Sequence, residues 1–115
     1  TRTRKLPPPI HVVWADLHSP ATTGSRVWLE LLGDENPPRI IEAVAPHRVV
    51  WSSIWAKRPD DVVVLELAST ASGSETALAY TLMTPDELPD DRLTAHLNYR
   101  ISKLLWEKLR YSYGQ

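Results

Sequence analysis

Near the end of the chain, three polar side chains and one tryptophan follow one another at intervals of four residues, about one turn of a helix. Thr94, Asn98 and Ser102 are four residues apart, and Trp106 takes the next step. Because residues four apart lie on the same face of a helix, they form one polar seam. The Asn98 amide has several hydrogen-bonding groups, and leaving one buried and unpaired costs about 1–3 kcal/mol. The seam must therefore find partners, either in a bound molecule or in the protein.

Two interpretations of this seam are open. In the first, it faces a cavity and offers hydrogen bonds to a ligand. In the second, Thr94 and Ser102 bond to carbonyls of their own helix while Asn98 holds a loop. The aromatic content bears on the same choice, since the chain has 5 Trp, 4 Tyr and no Phe. Indole and phenol groups often line partly wet sites, although tryptophan also fills cores.

The helix that must carry the seam is predicted from Asp90 to Gln115. Pro89 and the Asp90–Asp91 pair supply a stop and an N-cap, and the next glycine is Gly114. Apolar residues recur at helical spacing at Leu93, Leu97, Ile101, Leu104, Leu105 and Leu109. The apolar arc is extended by Ala95, Tyr99 and Trp106, and the narrow polar strip consists of His96, Arg100, Lys103, Glu107 and Arg110. Such a narrow strip predicts a helix packed on more than one side.

The middle of the chain predicts an antiparallel meander. Alternating or continuous apolar runs separated by turn residues predict the strands Arg39–Ala45, Arg48–Ala56, Asp61–Ser69 and Thr76–Thr84. Alternation places Trp51 and Trp55 on one face of the second strand, and Leu78 and Tyr80 on one face of the last. A slip of one residue would present Ser52, Ile54, Ala77 and Ala79 instead. In the chosen register, the first set forms a wall opposite the seam.

The N-terminal part of the chain is predicted in three pieces. Residues 1–9 form a flexible basic and proline-rich arm, and residues 10–115 form a single domain. Ile10–Leu17 reads as a first strand because β-branched and aromatic residues cluster there. Ser25–Gly33 is predicted as a short helix that ends at its glycine. The whole is an α+β fold, with an antiparallel sheet and a long C-terminal helix.

Composition excludes several classes of function. A net charge of −1 gives no general attraction to nucleic acid or to an acidic membrane. Without cysteine the chain has neither disulfides nor thiolate metal ligands, and the four histidines lack metal-site spacing. No apolar run is long enough to span a bilayer, and a cytoplasmic location is expected. We predict no metal, no cofactor, no nucleic-acid or membrane partner, and no catalytic residues, since no nucleophile elbow or nucleotide motif occurs.

Three segments together resemble the helix-grip fold of the START-like superfamily, also called SRPBCC or Bet v 1-like. Pro46–Ser53 resembles the proline-led strand that follows the small helices, and Gly73–Leu78 resembles the glycine turn and Thr-x-Leu strand. Arg92–Gln115 resembles the terminal helix, and its Leu-Arg-Tyr-Ser-Tyr-Gly-Gln ending is similar to that of short bacterial members. The resemblance implies a curved antiparallel sheet wrapped around the C-terminal helix. This sequence departs from the family pattern, because it has about five predicted strands where the full fold has more.

The resemblance also implies a class of function. Members of the superfamily hold apolar or amphipathic molecules between sheet and helix, so we expect an apolar or aromatic small molecule as partner. The predicted ligand-binding residues are Trp51, Trp55, Leu78, Tyr80, Asn98, Ser102 and Trp106. Two alternatives stay open. One is a protein–protein interaction module or homodimer whose tryptophans fill its own core, and the other is a cyclase-like or hydrolase-like enzyme that uses Tyr80 with a carboxylate or a histidine.

Overall fold

The computed structural model describes residues 2–20, 27–71, 73–84 and 91–113 of the chain. Within these ranges, five strands form one antiparallel sheet in the order β1-β5-β4-β3-β2. The strands are β1 (Arg2–Leu6), β2 (Ile40–Val44), β3 (Arg48–Ser52), β4 (Val62–Ser69) and β5 (Thr76–Met83). The helices are α1 (Ile10–His18), α2 (Asp91–Ser102), a π-helical segment (Lys103–Leu109) and α3 (Arg110–Ser112). The last three are consecutive and are called the C-terminal helix below.

The predicted meander is confirmed as β2 to β5. Its turns lie where expected, with the His47 amide bonded to the Val44 carbonyl at 2.8 Å and Gly73 at a positive φ of 74°. Only the second strand is clearly shorter than predicted, because β3 ends at Ser52. Beyond it the chain leaves the sheet, and Trp55 forms an isolated bridge with Glu35.

One face of the sheet carries the core. The register aligns Val49 with Leu65 and Leu65 with Tyr80, and all three are fully or almost fully buried. Directly paired residues in antiparallel strands point to the same side, so alternate residues of β3, β4 and β5 form a single apolar surface. The buried cluster joins this surface to Leu97, Ile101, Leu104, Leu105 and Leu109 of the C-terminal helix.

The segment predicted as a flexible arm is in part an edge strand. Arg2–Leu6 is β1, paired antiparallel with β5 from Arg2 opposite Tyr80 to Leu6 opposite Thr76. Leu6 is 1% exposed, and the Thr76 hydroxyl donates a hydrogen bond to the Pro8 carbonyl at 2.9 Å. The prediction of a solvated arm is therefore wrong over these residues. Basic side chains are common on edge strands, where they discourage pairing with other chains.

The next two predictions are also wrong. Ile10–Leu17 was predicted as a strand but forms α1, which buries Val13 and Leu17 one turn apart. The short helix predicted at Ser25–Gly33 is absent from its described part, residues 27–33. In this part Trp28 and Leu29 are consecutive and both buried. An extended segment with protein on both sides can bury two consecutive side chains. Ser25 and Arg26 lie outside the described residues, as do Pro89, Asp90 and Gly114 of the predicted helix boundaries.

The C-terminal helix is packed on more than one side, as predicted, but its faces differ from the prediction. Leu97 and Ile101 are 4% and 0% exposed. Tyr99 was assigned to the apolar arc, yet it is 58% exposed. Arg100 was assigned to the polar strip, yet it is 5% exposed because the segment that contains Glu30 and Glu35 covers it. Across the described residues, no helix is both long enough and apolar enough to cross a membrane.

Candidate functional site

The predicted polar seam meets the sheet through the hydroxyl of Tyr80. This oxygen lies 3.1 Å from Asn98 Oδ1, to which it can donate, and 3.1 Å from Ser102 Oγ. The Asn98 amide nitrogen donates to the Thr94 carbonyl at 3.0 Å. The seam is thus bonded within the protein, to its own helix and to β5. This arrangement satisfies the polar groups that were expected to need partners.

The Tyr80 network defines one end of an open groove. The groove lies between β1 and the C-terminal helix and has a volume of about 220 Å³. Its lining consists of Arg4, Tyr99, Ser102, Lys103, Trp106 and Glu107. Ser102 thus belongs to both features, since its hydroxyl contacts Tyr80 and its surface lines the groove.

Trp106, an aromatic residue of the groove lining, is supported by a residue of the sheet. The ring of Trp106 packs against Tyr80, with 5.9 Å between ring centroids and 46° between the planes. Tilted pairs at this distance are a preferred aromatic arrangement. Trp106 is partly buried, so one side of the indole is supported while another part stays accessible. It also lies in the π-helical segment, a type of helix that is frequent at functional sites.

The groove has a distinct charge arrangement. Lys103 Nζ lies 3.3 Å from the Glu107 carboxylate and 5.8 Å from the centroid of the Tyr99 ring. The hydrogen bond with Glu107 and its negative charge raise the pKa of Lys103. The lysine and the glutamate neutralise each other, which leaves the Arg4 guanidinium as the remaining charge of the lining. Arg4 and Lys103 were not among the predicted site residues.

The other predicted site residues are distributed through the interior. Trp51 is 0% exposed, and its indole nitrogen donates to the Leu17 carbonyl at 2.8 Å. Its ring stacks on Trp28, with 6.1 Å between centroids. Leu78 is fully buried in the same cluster, where it is part of the packed core. These positions make Trp51 and Leu78 part of the packed core and not of the groove lining.

Trp55 lies at a different surface. It lines a smaller pocket of about 130 Å³ with Asp34, Lys57, Arg58, Leu93, His96 and Leu97. The seven predicted residues therefore separate into three sets. In the first set, Ser102 and Trp106 line the groove, and Tyr80 contacts both of them and Asn98. Trp51 and Leu78 belong to the core, and Trp55 lines the second pocket.

A buried ion pair lies on the other side of the C-terminal helix. Arg100 Nε and Nη2 donate to the two carboxylate oxygens of Glu35 at 2.9 and 2.8 Å, and Nη2 also donates to the Glu30 carbonyl at 3.0 Å. The Leu32 amide donates to Glu35 at 2.8 Å. Burial by itself raises the pKa of Glu35, but these hydrogen bonds and the guanidinium charge together bring it below its usual value. The hydrogen bonds to Glu35 and its negative charge raise the pKa of Arg100.

The buried ion pair is bonded within the protein. Both carboxylate oxygens of Glu35, and the Nε and Nη2 groups of Arg100, bond to each other or to backbone. Within the described ranges, no group of three or more histidine, aspartate or glutamate side chains is placed to hold a metal ion. Among the described residues, the Tyr80 hydroxyl contacts the amide oxygen and backbone carbonyl of Asn98 and the hydroxyl of Ser102.

Comparison with known proteins bears on the fold. No protein-family model matches the chain, and no curated protein sequence matches it. The crystal structure of CalU16 from Micromonospora echinospora is similar, with a TM-score of 0.64 and 17% sequence identity. The similarity covers 94% of this chain and 69% of CalU16. At this level of identity it concerns the fold alone, so the arrangement of sheet and C-terminal helix is one that a solved structure shares.

Proposed function

We propose that the protein is a START-like binding domain that holds an apolar or aromatic small molecule between its sheet and its C-terminal helix. In this proposal the sheet curves around the helix in the helix-grip manner, and the groove beside β1 is the binding surface. The shared core of sheet and helix supports this view of the fold. The partly accessible Trp106, backed by Tyr80, is the observation that carries the proposed function.

The physical basis for binding is a fixed aromatic surface. Because Tyr80 is held by Asn98 and Ser102, Trp106 packs on a ring that has little freedom left to lose. Preorganised surfaces bind more tightly because less side-chain motion is lost on association. The volume of about 220 Å³ is below the usual range for drug-sized ligands, so it suits a molecule of one or two rings.

Trp106→Leu should weaken the binding of a neutral aromatic probe, 2-naphthalenemethanol. Loss of one aromatic contact worth about 1 kcal/mol predicts an increase in Kd of about five- to tenfold. Isothermal titration calorimetry measures the affinity, and heteronuclear NMR shows which signals move. In the unmodified protein the indole signal of Trp106 should shift saturably, whereas that of the buried Trp51 should stay in place.

Trp14→Leu is the matched control for this experiment. Trp14 is a partly buried tryptophan of α1, bonded to the Arg48 carbonyl of β3 at 3.1 Å and stacked on His18. Its removal changes the same ring type away from the groove, so the probe should bind as in the unmodified protein. If both variants lose affinity equally, or if the probe moves no signal of the groove, binding at this site is excluded.

A second function is favoured by the opposite edge of the sheet. β2 ends the strand order, and its Ile41 and Val44 are 54% and 51% exposed. Exposed apolar side chains on an open edge can pair with another chain, as in an interaction module or homodimer. Ile41→Lys should then abolish any rise of molecular mass with concentration in sedimentation velocity. A monomeric unmodified protein at every concentration would exclude the homodimer.

A further inference from the structure

The position of Arg4 follows from the register of the edge strand. Arg4 pairs with Leu78, which is fully buried on the core face of the sheet. Directly paired residues share a face, and so do residues two apart in one strand. Arg4 is therefore on the same face as Leu78 and as the buried Leu6. β1 thus directs a cationic side chain to the helix side of the sheet, where the groove begins.

Arg4 is the one charged residue of the groove lining that has no ion-pair partner within the described part of the chain. Lys103 and Glu107 form a pair across one turn of the C-terminal helix. Among the described residues, no carboxylate lies within ion-pair distance of the Arg4 guanidinium. The groove consequently combines an aromatic surface, formed by Tyr99 and Trp106, with one unmatched positive charge at its β1 side.

We infer that the molecule held in this groove is an aromatic carboxylate, with its ring against Trp106 and its carboxylate at Arg4. The inference rests on the proposed function and names the chemical class of its ligand. A guanidinium presents a planar fork of N–H donors that fits the two oxygens of a carboxylate. A neutral aromatic molecule would leave that fork solvated and gain only the ring contact. An acid without a ring would gain only the charge contact.

Two probes with the same ring separate these contributions. 2-Naphthoate carries a carboxylate, whereas 2-naphthalenemethanol carries a neutral hydroxymethyl group on the same carbon. A charge-assisted contact at a partly open site should give the acid an advantage of about tenfold in Kd, measured by calorimetry. The advantage should fall as salt is added, since exposed charges are screened.

Arg4→Met should remove the advantage of the acid and leave the affinity for the alcohol nearly unchanged. Lys5→Met is the matched control, because Lys5 is the next residue of β1, is exposed and lies on the opposite face. It loses the same unit of charge, so any general electrostatic effect appears in both variants. The inference predicts that the control keeps the full preference for naphthoate. Heteronuclear NMR spectra establish that both variants keep β1 paired.

The possible results separate this inference from the proposal on which it rests. Equal affinities for acid and alcohol in the unmodified protein, with Trp106 shifting in both, would overturn the assignment to a carboxylate but keep a binding groove. The same conclusion follows if Arg4→Met retains the preference, or if Lys5→Met loses it equally. Failure of both probes to bind would overturn the inference together with the proposed function.

Discussion

Arg100→Met is expected to lower the free energy of unfolding by about 3–5 kcal/mol near neutral pH, the usual cost of removing one partner from a buried ion pair. The side chains of Arg100 and Glu35 are 6% and 0% exposed, and two hydrogen bonds join them. Without the guanidinium, the Glu35 carboxylate stays buried and keeps the hydrogen bond from the Leu32 amide, but loses its counter-charge. Methionine fills a similar volume, so the loss reports mainly the uncompensated charge.

The pH dependence of this loss provides a sharper test. In the unmodified protein the pKa of Glu35 is lowered, so its contribution to stability is present above the unfolded value of about 4.3 and is lost as pH falls through the folded value. In Arg100→Met, burial remains and raises the pKa of Glu35. In acid the Glu35 carboxyl of the variant is neutral, so no buried charge lowers its stability. As the pH rises through the raised pKa, the carboxyl ionises and the free energy of unfolding falls.

Urea denaturation of the unmodified protein and of Arg100→Met, at neutral pH and at about pH 4, measures the difference in their free energies of unfolding. The gap between them should be largest at neutral pH and should narrow in acid. Arg92→Met is the matched control, because Arg92 is on the same helix and exposed. Its effect should stay within about 0.5 kcal/mol. A small loss for Arg100→Met that does not change with pH would mean that the pair is solvated.

Ile101→Ala should destabilise the protein by about 2–5 kcal/mol, because deleting a buried side chain removes its contacts and leaves a cavity. Ile101 is 0% exposed at the centre of the helix face that meets the sheet. Leu97→Ala should fall in the same range, since Leu97 is 4% exposed. Both values are obtained from denaturant midpoints with an unchanged slope.

Leu93→Ala is the control for this pair of variants. Leu93 belongs to the same predicted apolar arc but is 37% exposed, so its removal should cost clearly less, about 1 kcal/mol. A cost for Ile101→Ala of only a few tenths of a kcal/mol would mean that the C-terminal helix is peripheral. Equal costs at Leu93 and Leu97 would mean that the helix face is rotated from the one described.

The elements that could be predicted from the sequence are those whose periodicity and propensity agree. In β5, Thr76, Leu78 and Tyr80 alternate with Ala77 and Ala79, and burial follows the same period over these residues. In the C-terminal helix, Leu97, Ile101 and Leu105 recur every fourth residue, and all three are buried. Each pattern is set by near neighbours, so it can be recognised without knowledge of the fold.

In α1, residue propensity predicts a strand and residue spacing predicts a helix, and the prediction made from propensity was wrong. Val12, Val13 and Trp14 favour a strand by residue type. Helical spacing was nevertheless present, since Ile10, Val13, Trp14 and Leu17 follow the i, i+3, i+4, i+7 pattern and all contact the core. Packing against β3 and β4 overrides the intrinsic preference of the β-branched residues.

The features that could not be predicted from the sequence depend on contacts between distant parts of the chain. Arg100 has the helical position of a surface residue, and Glu35 is in a turn-rich segment, so neither indicates its partner 65 residues away. Arg4 is similar, because its place in the groove depends on β1 pairing with β5. The seam on the C-terminal helix was recognised from its spacing, but its hydrogen bonds to Tyr80 could not be, because they join residues 18 and 22 positions apart.

The pairing of β1 has a consequence for the order in which the sheet assembles. β2 to β5 join through hairpins between neighbours in sequence, whereas β1 must return across most of the chain to meet β5. Long loops cost more entropy to close and delay the contacts that close them. β1 is therefore expected to dock last and, as an edge strand, to detach first in local unfolding. The groove, which needs Arg4 from β1, is then the last surface of the protein to be completed and the first to be lost.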